Sequence, residues 1–142
     1  MKSFKSSIQI DSSAENVWNI LTDAPSWTQW NTTIDKIEGI IDFGNKVTVY
    51  AKASPGRAFP LKVTEFTPHK LMVWTGGMPL GLFTGKRTYT IRVIDQNTVE
   101  FSMKEEFTGL MAPLITRSIP DLQPSFDEFV NCLKAYAESS NT

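Results

Sequence analysis

The segment FSMKEEFT, residues 101–108, sets a carboxylate among apolar side chains. In a strand, the pleat sends successive side chains to opposite faces. Phe101, Met103, Glu105 and Phe107 then share one face, and Ser102, Lys104, Glu106 and Thr108 the other. A carboxylate on the inward face is costly, so Glu105 is expected to be paired, solvated in a cavity, or functional. A partner lies upstream. With Asp95-Gln96-Asn97 as a three-residue loop, Ile94 faces Thr98, and Val93 pairs with Val99, Ile91 with Phe101, Tyr89 with Met103 and Arg87 with Glu105. Apolar residues fall opposite apolar residues, which supports this register. A two-residue loop would slide it by one and set Arg87 against Glu106. Arg87 beside Glu105 has two readings. One is a structural ion pair at a cavity rim. The other is a polar anchor for an otherwise apolar ligand, because a planar guanidinium suits a carboxylate or phosphate.

Other chemistries find little support. His69, the single histidine, sits in the turn Thr-Pro-His-Lys, which removes a buried Ser-His-Asp triad and any multi-histidine metal site. Asp23, Asp35 and Asp42 are scattered and form no oxygen-ligand loop. Glu105 and Glu106 cannot make a dyad, since strand neighbours face opposite ways. The lone Cys132 permits neither an internal disulfide nor a cysteine-based zinc cluster. Residues 76–83, GGMPLGLF, are Gly-rich but have no Gly-Lys-Ser/Thr ending, so they read as a mobile apolar loop and not a phosphate cradle. Residues 110–119 read as a second mobile apolar segment; exposed Leu and Met in such places often mark a binding surface. No metal or cofactor is expected.

These side chains need a scaffold. A chain of 142 residues suits one domain, 1–142, able to bury a real core. Lys+Arg 14 against Asp+Glu 15 gives no basic surplus for nucleic acid. No run nears ~18 apolar residues, so no integral membrane association is expected. The N-terminus alternates and lacks a signal-peptide core, so the default expectation is a cytoplasmic protein. Ser12-Ser13-Ala14-Glu15 has capping-box spacing with Ser12 as the cap, ahead of a helix carrying Val17, Trp18, Ile20 and Leu21. Pro25 ends that helix, and residues 26–34 suggest a second short one. Strands are expected over 34–40, 46–54, 58–66, 70–75, 86–94 and 98–108, joined by turns too short for parallel pairing. Trp74 should face Val63, with Phe59 and Leu61 on the same face. A last helix, starting between residues 120 and 124, repeats Phe126, Phe129, Val130, Leu133 and Tyr136 at helical spacing.

The order is strand, two short helices, a run of strands, long helix. One helix covers such a sheet only if the sheet curls around it. Three segments, IQIDSSAENVWNILTDAPSWTQWN, KLMVWTG and EEFTGLMAPL followed by FDEFVNCLKAYAE, resemble the START/Bet v 1-like superfamily, specifically its polyketide cyclase/dehydrase and lipid-transport branch. The resemblance spans nearly the whole chain. It implies an α+β helix-grip fold: a curved seven-stranded antiparallel sheet around a C-terminal helix, with a hydrophobic cavity between them. It also implies that Trp27 and Trp30 lie at the cavity entrance, where they would serve as a gate; core packing of a poorly amphipathic turn is the equal alternative.

The expected function is binding or transport of a small hydrophobic or amphipathic molecule, such as a lipid, isoprenoid or polyketide. The expected lining is Trp27, Trp30, Phe59, Leu61, Trp74, Phe83, Tyr89, Phe101, Met103, Phe107, Phe126, Phe129 and Val130, with Arg87 and Glu105 holding the polar end. Two alternatives stand beside it. In a polyketide cyclase or dehydratase, Arg87, Tyr89 and Glu105 would orient substrate and move protons, Glu105 as base. In a chaperone-regulator-like domain the outer surface would bind a protein. The oligomeric state is left open by these residues.

Overall fold

The computed structural model describes residues 3–78, 80–119 and 121–139. Pro79 of the expected loop and Pro120, an expected helix start, lie outside the described residues. Strand β1 (Ser3–Ile10) leads into α1 (Ala14–Thr22), a 3-10 turn (Ala24–Ser26) and α2 (Trp27–Trp30). Then come β2 (Ile34–Glu38), β3 (Lys46–Ala51), β4 (Phe59–Thr67), β5 (Leu71–Met78), β6 (Phe83–Asp95) and β7 (Thr98–Thr108). A short helix α3 (Ala112–Ile115) precedes the long helix α4 (Gln123–Ser139). All strands join one antiparallel sheet of seven, in the order β1-β7-β6-β5-β4-β3-β2. The sheet is a curved half-barrel and α4 lies against it, as the helix-grip expectation required.

Helix α4 docks because Phe126, Phe129, Val130, Leu133 and Ala137 recur three or four residues apart and are buried together. Asp127, Glu128 and Asn131 face solvent. The helix runs from the end of the sheet that holds the β5–β6 tip to the end that holds the β6–β7 turn. Its far end is pinned to β1, where Lys134 Nζ donates to the Gln9 carbonyl at 2.8 Å and the Asp11 amide donates to Glu138 at 2.9 Å.

Four local readings need correction. The N-cap of α1 is Ser13, whose hydroxyl accepts from the Asn16 amide at 3.1 Å. Ser12 is buried and accepts from the Asn16 side chain instead, while Glu15 stays in solvent. Either serine satisfies the local rule; burial under α4 chooses between them.

The β6–β7 turn has a second surprise. Asp95, not Ile94, pairs with Thr98, so the loop is Gln96-Asn97 alone. A bulge at Ile94 absorbs the extra residue, and the pairs from Val93–Val99 back to Arg87–Glu105 keep the expected register.

The Gly-rich segment is mostly strand. Gly76, Gly77 and Met78 pair with Gly85, Thr84 and Phe83, leaving only a short tip. Gly77 has φ +133°, and a Cβ there would run into the Phe83 carbonyl, so glycine is what lets the ribbon continue. The second expected loop, 110–119, is likewise helical over Ala112–Ile115 and Thr116–Ser118. Among the described residues no helix is long and apolar enough to cross a membrane.

Candidate functional site

The alternation of β6 and β7 brings Arg87 and Glu105 to facing positions on the inner side of the sheet. Arg87 Nε donates to Glu105 Oε1 at 2.6 Å, and the side chains are only 20% and 12% exposed. The guanidinium lies 5.1 Å from the Phe126 ring centroid, a cation–π contact from α4. Burial acts to lower the Arg87 pKa, but the Glu105 carboxylate, with Tyr89, outweighs it and holds the pKa above the usual arginine value. Arg87 therefore stays charged. The pairing uses Nε and one carboxylate oxygen, which leaves the terminal N–H groups of the fork for another acceptor.

Two residues further along β6, on the same face, is Tyr89, fully buried. Its hydroxyl lies near Arg87 without a well-formed hydrogen bond. Burial pushes its pKa up, with Arg87 acting against that. Trp30 Nε1 and Asn31 Nδ2 are also buried and without a protein partner. Such groups are commonly met by ordered water.

Arg87 opens onto a half-enclosed cleft of about 40 Å³, between the start of α4 and the ends of β2 and β3. That is room for about three waters. Pockets that hold drug-sized ligands run to roughly 300–1,000 Å³. Around Arg87 the walls are Ile34, Val49, Ala51 and Ala53 on one side, Met103 below, and Leu122, Ser125, Phe126 and Phe129 on the other, with Thr33 at the edge.

The expected site residues separate into groups. Arg87, Met103, Phe126 and Phe129 line the cleft, and Glu105 is held behind Arg87. Trp27, Trp30, Trp74, Tyr89, Phe101 and Val130 are buried in the core and do not line it. Trp27 stacks on Trp74 at 5.5 Å and meets Phe129 edge-on at 5.4 Å, while its Nε1 donates to the Leu21 carbonyl at 3.0 Å. Trp30 meets Phe129 at 5.3 Å. Of the two readings of Trp27 and Trp30, the gate is corrected and core packing holds: both rings plug the space between sheet and helix, because a short apolar turn gains more from core contact than from solvent. Phe83 and Phe107 stack on one another at 5.7 Å near the β5–β6 tip, and Phe59 and Leu61 are half-buried on β4.

The cleft walls outside the expected site are Thr33, Ile34, Val49 and Leu122 with three small residues. Ala51, Ala53 and Ser125 leave unfilled what larger residues would occupy, and small residues on inward-facing positions were the available signal.

A family model described as "Polyketide cyclase / dehydrase and lipid transport" matches residues 1–138. The chain belongs to this family. Among solved structures, an aromatase/cyclase from Streptomyces sp. R1128 is similar with a TM-score of 0.76 at 10% identity, over 99% of each chain. Norcoclaurine synthase from Thalictrum flavum, solved with dopamine and hydroxybenzaldehyde, has a TM-score of 0.72 at 12% identity, covering 99% of this chain and 88% of its own. A START superfamily protein from Mycobacterium smegmatis has 0.69 at 11%, covering 96% and 97%. No curated protein matches the sequence. At these identities the likeness establishes the fold that this polyketide cyclase/dehydrase and lipid-transport family member shares with enzymes and START proteins alike.

Proposed function

We propose that the protein binds a small amphipathic molecule in the cleft beside α4, with an acceptor oxygen of the ligand on Arg87 and its apolar body against Met103, Phe126 and Phe129. The supporting observation is a charged guanidinium with uncommitted donors in the wall of an otherwise largely apolar cleft. Membership of a family that includes lipid transport agrees with this reading. A cleft of about 40 Å³ takes such a ligand only if it widens. The half-buried Leu122, just ahead of α4, and the first turn of α4 are the walls with least strand pairing to break.

Carriage fits better than catalysis because Glu105, the candidate base, is already committed to Arg87 at 2.6 Å. The filled interior favours the protein-interaction alternative over a large internal pocket, and the same experiment weighs it. Native mass spectrometry of freshly purified protein should show a co-purified apolar compound, and an environment-sensitive apolar dye should compete with it. Met103→Trp should fill the cleft and abolish dye uptake in a folded protein. Unchanged dye binding in that variant would remove the cleft as the site. Conversion of a polyketide that Glu105→Gln stops without weakening binding would make the protein an enzyme.

A further inference from the structure

The strand directions give the sheet two unlike ends. At one end lie the start of α1, the β2–β3 connection, the β4–β5 turn and the β6–β7 turn. At the other lie the β3–β4 connection, the β5–β6 tip, the segment holding α3, the start of α4 and the mouth of the cleft. Among the described residues the first end exposes Ile40 at 74% and Phe43 at 66%, and the second carries the most exposed apolar side chains, both leucines. Leu80 at the tip is 93% exposed and Leu110 ahead of α3 is 83% exposed, with Met78 and Leu114 also in solvent. The two segments form one unit: the Leu110 amide donates to the Gly81 carbonyl at 3.2 Å and the Met111 amide to the Leu82 carbonyl at 2.7 Å. Gly109, at φ +113°, permits that approach, since a Cβ there would meet the Leu82 and Gly81 carbonyl oxygens at 2.7 and 2.8 Å. Beneath them the stacked Phe83 and Phe107 rings form a firm base.

Leu80 has a further oddity. Its φ is +62°, a left-handed conformation that side chains other than Gly, Asn and Asp rarely take. The residue is strained and buries nothing. Asn or Gly would relieve the strain, so a leucine held there calls for a use outside the fold.

Charge says what kind of partner. The connections at this end carry exposed Lys52, Arg57 and Arg117 against Asp121 alone, and Asp121 accepts from the Gln123 amide at the start of α4. The opposite end, with its strand termini, exposes Asp11, Glu38, Asp42 and Asp95 against Lys46 and Lys70. Protruding leucines that share an end with cations, with most of the exposed acids of the connections at the far pole, complement an anionic lipid surface.

We propose that this end docks reversibly on an anionic bilayer, Leu80 and Leu110 entering the headgroup–acyl boundary while Lys52, Arg57 and Arg117 meet lipid phosphates. The docking rests on the surface itself and does not depend on what the cleft binds. It would, however, set the cleft mouth against the membrane.

The test is flotation of the full chain with phosphatidylcholine vesicles, with and without phosphatidylglycerol. Wild type should bind the anionic vesicles about tenfold more tightly, and added salt should weaken that binding. L80N/L110N, which relieves the strain at position 80, should keep the fold by circular dichroism and lose about tenfold in vesicle affinity. It should keep dye binding in the absence of vesicles, whereas Met103→Trp should keep vesicle binding. No flotation of wild type, or flotation unchanged in L80N/L110N, overturns the proposal. So does a dimer that L80N/L110N dissolves, without vesicle binding, since the leucines would then belong to a second copy.

Discussion

Two neighbouring regions of the interior use the same kind of residue to opposite effect. Around Trp27, Trp74, Tyr89 and Phe101 the rings meet edge to face or stacked at 5.1–6.4 Å, and each is essentially sealed from solvent. A few residues away, Phe126, Phe129 and Met103 face Ala51 and Ala53 across a gap. The difference lies in what stands opposite. Large side chains from α2 and β5 complete one region; small ones from β3 and its end fail to complete the other. Space in this fold is therefore set by a few small residues more than by the aromatic ones that attract attention in the sequence.

The comparison predicts a gradient of mutational cost. Trp74→Ala in the sealed region should cost about 3–5 kcal/mol, because neighbours locked on several sides cannot collapse into the hole. Thermal and urea unfolding would measure it, and a loss under ~1 kcal/mol would mean that this region is as loose as the cleft. Arg87→Met should cost about 2–3 kcal/mol by stranding the largely buried Glu105, and Arg87→Met/Glu105→Leu should recover most of that. A double variant no better than the single one would show that the guanidinium matters mainly through Phe126 and the cleft.

Enlargement should separate the regions most cleanly. Ala137→Leu, on the fully buried face of α4, should destabilise by about 1–3 kcal/mol through overpacking. Ala51→Val, which points at the gap, should be neutral or stabilising by up to ~1 kcal/mol. Equal effects of the two would erase the distinction between the regions.

The smallest effect concerns the pinned end of α4, which lies away from the cleft. Glu138 has its pKa lowered from 4.5 by its bonds to Lys134 and the Asp11 amide. A depressed carboxylate pKa stabilises the fold above the unfolded value and loses that contribution as pH falls through the folded one. Protection of the last turn of α4, read by hydrogen exchange, should thus weaken slightly below about pH 4.5 in wild type and be flat in Glu138→Gln. A parallel pH response in both proteins would assign the effect elsewhere.

How much of this was legible in the sequence follows from the range of the forces involved. The Arg87–Glu105 register could be read because the inward-facing pairs Tyr89–Met103, Ile91–Phe101 and Val93–Val99 match apolar with apolar, and a slip would have broken all of them at once. The Trp74–Val63 pair was also expected, but near the turn Phe66 pairs with Met72 and Thr67 with Leu71, one residue out from a Thr67–Lys70 connection, and a register shift between Val63 and Glu65 restores the pair. The cap at Ser13 was not, since two adjacent serines satisfy the local rule equally and only the approach of α4 distinguishes them. Whether Trp27 and Trp30 would plug the interior or gate it was left undecided by the sequence. Periodicity says which side chains point inward; it does not say whether they meet. For the same reason the cleft walls Ala51, Ala53 and Ser125 carried no loud signal.

The bulge at Ile94 works as an expansion joint. One slack residue at the far end of β6 lets the turn differ in length while the ladder from Val93 onward stays put. Removing Ile94 would leave a regular hairpin with the same pairs beyond it, so length changes at that turn need not slide Arg87 off Glu105. The chain can vary one pole of the molecule without disturbing the chemistry set into the other.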